Sequence, residues 1–289
     1  MESSEDIAIV QPSAGQVSVG QVSVDQASVG QDDGLTYAGY LRLTEMLDQQ
    51  RCRSLPVAHD ELLFIAVHQV YELWFKVLLF ELADVRDRML GGDTYRARLR
   101  LRRCHEIERV LVNQIDVVDT MTPHGFLEFR GSLGTSSGFQ SAQFREIEFL
   151  SGADDHGWLA RAGWLTAEDH RRLSRRLAEP DLWDAFVVLL TSAGFPAATA
   201  SQRSAALCEI AAGGDRYSEL WELSEALIGH DQMWSSWRQR HQLTVLRQLG
   251  VRPGTAGSAG ATYLAGRAQL KFYPELWEAR TCFSGPAPA

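Results

Sequence analysis

The sequence predicts an all-α protein, a helical bundle of two long helices and several shorter ones. Three observations carry that expectation. From Leu35 onward, apolar residues recur at helical spacing almost everywhere. No segment alternates apolar and polar residues over several positions, and clusters of Val, Ile and Thr between turn signals are few. Glycine, serine and threonine concentrate in two irregular stretches, "GSLGTSSG" (Gly131 to Gly138) and "GVRPGTAGSAGA" (Gly250 to Ala261).

The elements follow in order. Residues 15 to 29, "GQVSVGQVSVDQASV", repeat with a period of five, which suits neither a strand nor a helix. Residues 1 to 33 are therefore expected to be a low-complexity, poorly ordered tail, and 34–289 a single all-α domain. "LTYAGYLRLTEMLDQQ" sets Tyr37, Tyr40, Leu41 and Met46 at helical spacing. "HDELLFIAVHQVYELWFKVLLFELADVRDRML" reads as a long helix, so apolar in its first half that it must be covered on several sides. "YRARLRLRRCHEIERVLVNQIDVVDTM" reads as another, with a basic start. Shorter helices are expected near 124–131, 138–151, 166–178, 180–194 and 200–213, and the second long helix over 215–249.

Composition removes several classes of function. A formal net charge of −9 argues against nucleic acid or an anionic membrane as partner. Cys52, Cys104, Cys208 and Cys282 are scattered without a CxxC pair, which predicts neither a zinc site nor a disulfide framework. The acidic start "MESSEDIAIVQPSAG" lacks the features of a secretory signal, and no apolar run approaches the roughly 20 residues of a bilayer span, so a cytoplasmic protein is expected.

Few residues are placed to carry chemistry. His68 has Phe64, Ile65, Tyr71, Glu72 and Phe75 as helical neighbours. It is either a satisfied core histidine or an imidazole kept neutral in an apolar pocket, able to accept a proton or hydrogen bond from a substrate N–H. Arg130 leads into the first glycine-rich loop. It is either solvated or a bidentate partner for a carboxylate, with Ser136, Ser137 and the loop amides completing an anion site. His230 and His241 lie eleven residues apart, about three helical turns, and so near one face. His241 has Trp234, Trp237, Thr244, Val245 and Gln248 around it, which suits an axial heme ligand and an ordinary buried histidine alike. His230, among polar neighbours beside Gly229, a candidate helix defect, is the weaker candidate. The other five histidines form no HxxxH or HExxH pattern, which argues against a metal held by protein ligands alone.

The blocks "LTYAGYLRL", "HDELLFIAVHQVYELWFK", "FLEFRGSLGTSSGFQSAQFREIEFLSG", "WRQRHQLTVLRQLGVRPGTAGSAGATYL" and "FYPELWEAR" together resemble the tryptophan 2,3-dioxygenase family, whose order they keep across nearly all of residues 35 to 280. The resemblance implies heme b as cofactor, with dioxygen as co-substrate, and opening of the indole ring to N-formyl-L-kynurenine. Position by position, it implies His241 as the proximal iron ligand, His68 as the distal histidine facing the indole N–H, and Phe64 as the ring packed on the indole. It makes Arg130 the holder of the substrate carboxylate and Thr255 a contact to the amino-acid end. Tyr37, Tyr40 and Leu41 match a segment that enters a neighbouring subunit's pocket, which implies a homotetramer. Three features depart from the family pattern: Phe126 stands where a tyrosine is usual, "GTAGSAG" replaces "GTGGSSG", and the repetitive tail is atypical. Two alternatives stay open, a monooxygenase forming a 2-oxindole from tryptophan or methyltryptophan, and a heme-binding or sensing protein without turnover.

Overall fold

The computed structural model describes residues 35–252 and 261–282, and for 261–263 and 282 the backbone only. The low-complexity tail and Thr255 lie outside the described residues. Among the described residues no strand is present, as the periodicity predicted. The chain divides into two compact units, the first ending at Met46 and the second beginning at Leu47.

In the first unit, "LTYAGYLRLTEML" does not form one helix. Thr36 caps a five-residue helix, α1 (Tyr37–Leu41), by accepting from Gly39 N, and Arg42 then turns left-handed at φ 51 before α2 (Leu43–Leu47). A non-glycine residue in that region is uncommon, so helical spacing alone gave no warning of the break. Neither helix buries a residue; Tyr37 and Tyr40 are about three-quarters exposed.

The second unit is organised by three helices: α3 (His59–Leu90), α4 (Thr94–Val118) and, further along, α11 (Ser218–Leu249). Between α3 and α4 the chain reverses over Gly91–Asp93, where Gly92 takes φ 75 and Asp93 caps α4 by accepting from Arg96 N. One core joins Tyr71, Phe75, Leu78 and Leu82 of α3 to Leu101 and Leu111 of α4 and to Leu223, Leu227 and Trp234 of α11. By length and composition α3 could cross a bilayer, against the expectation that no run is apolar enough. It instead packs against α4, α5 (Pro123–Arg130), α6 (Ala142–Leu150) and α9 (Leu182–Ser192). It also carries buried Glu61 and Glu81: Glu61 accepts from Arg53 N, Ser54 N and Ser54 Oγ, and Glu81 pairs with Arg103 at 2.5 Å.

Shorter helices α7 (His156–Arg161), α8 (Ala167–Ala178), α10 (Ala200–Ala212), α12 (Ala261–Ala268) and α13 (Pro274–Glu278) complete the unit. Cys52 and Cys104 are free, but Cys208 is disulfide-bonded, which corrects the reading of the cysteine spacing. The absence of a CxxC pair does not by itself exclude a bridge.

Asp181, the N-cap of α9, accepts from Asp184 N at 2.8 Å, yet burial, with Asp184 and Asp154 adding repulsion, raises its pKa to about 6. The folded chain then binds more protons than the unfolded chain between about pH 4 and 6, so this group lowers stability as pH rises through that window. Asp181→Asn keeps the capping oxygen and removes the charge. It is expected to raise stability by roughly 1–3 kcal/mol at pH 8, a gain that fades as pH falls toward 4, as read by urea unfolding. A loss at pH 8 would mean the ionised cap is worth more than its desolvation costs.

Candidate functional site

Where α3, α4 and α11 meet, with α5, α6 and α12 at the edges, they enclose a cavity of about 280 Å³. His68 and Phe64 reach it from α3, Phe126 from α5, and Trp237 and His241 from α11. Phe75, Ile115, Val118, Met121, Phe144 and Leu249 supply much of the apolar wall. Ser136, Ser137 and Gly138 of the first glycine-rich loop also line it.

The two cavity histidines are prepared differently. His68 Nδ1–H donates to Phe64 O, one turn earlier in α3, at 2.7 Å. That bond fixes the tautomer and leaves Nε2 as an acceptor with no partner among the described residues. The ring is reached by solvent because it lines the cavity, while protein surrounds its other sides. Burial pushes its pKa below the ordinary value, against the pull of the Phe64 carbonyl and Glu72. Phe64 lies against it with ring centroids 4.1 Å apart, and Phe64, Phe126 and Phe129 form an aromatic corner beyond.

His241 has no hydrogen-bond partner for either ring nitrogen among the described residues, and it stacks on Trp237 with centroids 4.9 Å apart. Burial, with His68 adding repulsion, lowers its pKa to about 4. It is therefore neutral near pH 7, with a lone pair available for a metal ion. Among the described residues no three His, Cys, Asp or Glu side chains converge to hold a metal by themselves. One neutral, unengaged histidine in a mainly apolar cavity fits an ion that brings its other ligands with it, as iron in a tetrapyrrole does.

His230 proves different from its sequence reading. No defect occurs at Gly229; α11 is continuous, and His230 is fully buried. Its Nδ1–H donates to Glu108 Oε1 of α4 at 2.5 Å, and Nε2 meets the Ser151 hydroxyl at 2.9 Å. Both nitrogens are taken, and the ring does not line the cavity. The two histidines do share a helix face, but about 16 Å apart along the axis at 1.5 Å per residue.

Arg130 is the last residue of α5, half-buried, and is not part of the cavity lining. Ser137 uses its hydroxyl to accept from Phe139 N in a capping box, and Ser136 N donates to Leu133 O, so the loop is locally braced where it lines the cavity. Tyr37, Tyr40 and Leu41 stand exposed on α1 of the first unit.

Several cavity residues escaped the sequence reading. Arg145, Glu148, Arg238 and Arg267 all line the cavity. Arg145 and Glu148, three apart on α6, look like an ordinary surface pair until the fold buries them. Arg238 lies one turn before His241 on α11, a spacing that could have signalled a shared face. Gln143, behind the lining, donates to the cavity residue Glu72 at Oε2 (2.8 Å) and O (3.0 Å) and was likewise unmarked.

The sequence profile described as tryptophan 2,3-dioxygenase matches residues 21–161 and 196–283. A tryptophan 2,3-dioxygenase of Nocardioides sp. is 52% identical over 251 residues, covering 86% of this chain and 94% of the relative. That of Herpetosiphon aurantiacus is 43% identical, over 85% and 97% of the two chains, and that of Caulobacter vibrioides 39%, over 86% and 98%.

Proposed function

The chain belongs to the tryptophan 2,3-dioxygenase family, and from that premise we propose that it acts as a heme-dependent oxygenase on the indole C2–C3 bond of L-tryptophan or a close derivative. The observation that carries this reading is the pair of cavity histidines, one with both nitrogens unengaged and one with its tautomer set. His241 would hold heme b through its free ring nitrogen, and bound heme supplies the activation of dioxygen. The chain supplies position. His68 Nε2 accepts the indole N–H, Phe64 packs on the ring, and Phe126 closes the wall beside it. Arg130 and Thr255 take the amino-acid end, and Ser136 and Ser137 border the cofactor. The aromatic wall keeps water from the reacting edge. Adding both atoms of dioxygen across C2–C3 gives N-formyl-L-kynurenine and consumes no net electrons.

Phe126 brings no hydroxyl to the cavity, which is compatible with a second outcome, insertion of one oxygen to give a 2-oxindole at the expense of an external reductant. Aerobic turnover of L-tryptophan followed by product mass tests the reading. A gain of two oxygens supports it, a gain of one replaces it with the 2-oxindole reaction, and no gain with heme bound would make the protein a heme binder without turnover.

The same reading includes a cytoplasmic homotetramer with N-terminal segments exchanged between subunits. Its support is surface left uncovered in one chain: Leu62, Val70, Leu73, Val77 and Phe80 form an exposed apolar stripe along α3, and Tyr37, Tyr40 and Leu41 are exposed on α1.

The role given to His68 has a specific signature. His68→Ala is expected to keep the heme spectrum and to slow turnover of tryptophan about tenfold, the worth of one hydrogen bond near 1.4 kcal/mol. With N1-methyltryptophan, which has no indole N–H to donate, the loss should be far smaller. Equal losses with both substrates in steady-state assays would rule out the N–H contact.

A further inference from the structure

At the end of the cavity formed by α6, α11 and α12, three guanidinium groups share one carboxylate. Arg145 Nη1 and Arg267 Nη2 both donate to Glu148 Oε2, at 2.5 and 2.6 Å. Arg238 Nη2 lies 3.5 Å from Glu148 Oε1, without hydrogen-bond geometry. Arg145, Glu148 and Arg238 are 3%, 1% and 4% exposed, so bulk water offers them little. Arg267 also lies 3.5 Å from Asp155, and Arg238 Nη1 donates to Leu270 O. Arg145 Nε and Arg238 Nε have no partner among the described residues. The remaining faces are covered by aromatic rings, Trp158 over Arg145 and Phe272 over Arg238. Burial pushes the Arg238 guanidinium below its ordinary pKa, with Glu148 and Asp231 pulling the other way.

Positive charge thus gathers along this part of the cavity wall. Arg145, Arg238 and Arg267 face it, against Glu148 and Glu72 as the carboxylates in the lining. Buried guanidinium groups short of acceptors are costly unless something anionic completes them, and a carboxylate matches their fork. A tetrapyrrole held by His241 in this cavity carries its own carboxylate arms on one edge.

We propose that Arg145, Arg238 and Arg267 form a carboxylate-binding end of the cavity that takes the propionate edge of heme and so fixes which way the macrocycle faces. The proposal rests on the heme reading given above. The same chemistry could serve the carboxylate of the amino-acid substrate, and the two sources separate by experiment.

The full-length chain, freed of heme, is titrated with hemin and with hemin dimethyl ester, following the Soret band. The wild-type chain is expected to bind the diester at least tenfold more weakly, because esterification removes the charge the arginines meet. Arg267→Gln, the most exposed of the three, and Arg238→Met should each weaken hemin about tenfold while leaving diester affinity unchanged. Arg267→Gln keeps the test valid if Arg238→Met fails to fold. Equal affinity of the wild type for hemin and diester would overturn the inference alone, as would variants that lose both ligands in parallel. Unchanged hemin affinity with weakened tryptophan binding would assign the arginines to the substrate and overturn it as well. No Soret band with either ligand in the wild type would overturn the heme reading itself.

Discussion

Replacing His241 by alanine is expected to strip the protein of most of its heme. The ring it removes is, among the described residues, the one cavity imidazole with neither nitrogen engaged, and burial together with His68 holds it neutral. His68 also keeps an Nε2 unpartnered among the described residues, but it reaches the cavity from α3 and not from α11, so heme held there would sit elsewhere and change the spectrum. His230 is locked between Glu108 and Ser151. The expected result is loss of the Soret band in the purified variant, with helical content by circular dichroism unchanged. Added imidazole should restore part of the band by filling the space the side chain left. Full heme occupancy with an unchanged spectrum would place the iron on another residue.

Replacing Arg130 by leucine is expected to weaken tryptophan binding by roughly 1.5–3 kcal/mol, about 10- to 150-fold, the range for hydrogen bonds to a charged group. Heme content should stay the same, since the proposed iron ligand His241 lies on α11 and Arg130 ends α5. Tryptamine, which lacks the carboxylate, should bind both proteins alike. Spectral titration of the heme-loaded protein reads both ligands. Equal binding of tryptophan to both proteins would remove Arg130 from the substrate's carboxylate and leave the buried arginines of α6, α11 and α12 as the cations nearest the cavity.

What the sequence made legible was whatever depends on local periodicity. The long helix read from His59 to Leu90 has those ends in the structure, because a continuous apolar stripe runs out at Gly91 and Gly92. His68, Phe64 and His241 fall on the cavity because neighbours three and four residues away share a helix face. What depended on distant residues was not legible. His230 looked like a polar residue beside a helix defect, and its burial is set by Glu108, 122 positions away. Arg145 and Glu148 drew no attention in the sequence because nothing local reveals that Arg238 of α11 and Arg267 of α12 meet them. The break at Arg42 has neither glycine nor proline to mark it. Thr255 belongs to the stretch outside the described residues.

The Glu108–His230–Ser151 bridge has a consequence for how the cavity comes to exist. It bolts α11 to α4 and to the end of α6, and next to it Asp231 accepts from Phe272 N, Tyr273 N and Trp277 Nε1, tying down the C-terminal segment. The helix that presents His241 is therefore anchored three turns away by contacts that involve no prosthetic group. On the proposed heme reading, uptake of the macrocycle would resemble insertion into a preset slot more than folding around a ligand. Its thermodynamic mark is a heat-capacity change no larger than burial of the ligand and the cavity wall accounts for, without the added contribution of coupled folding.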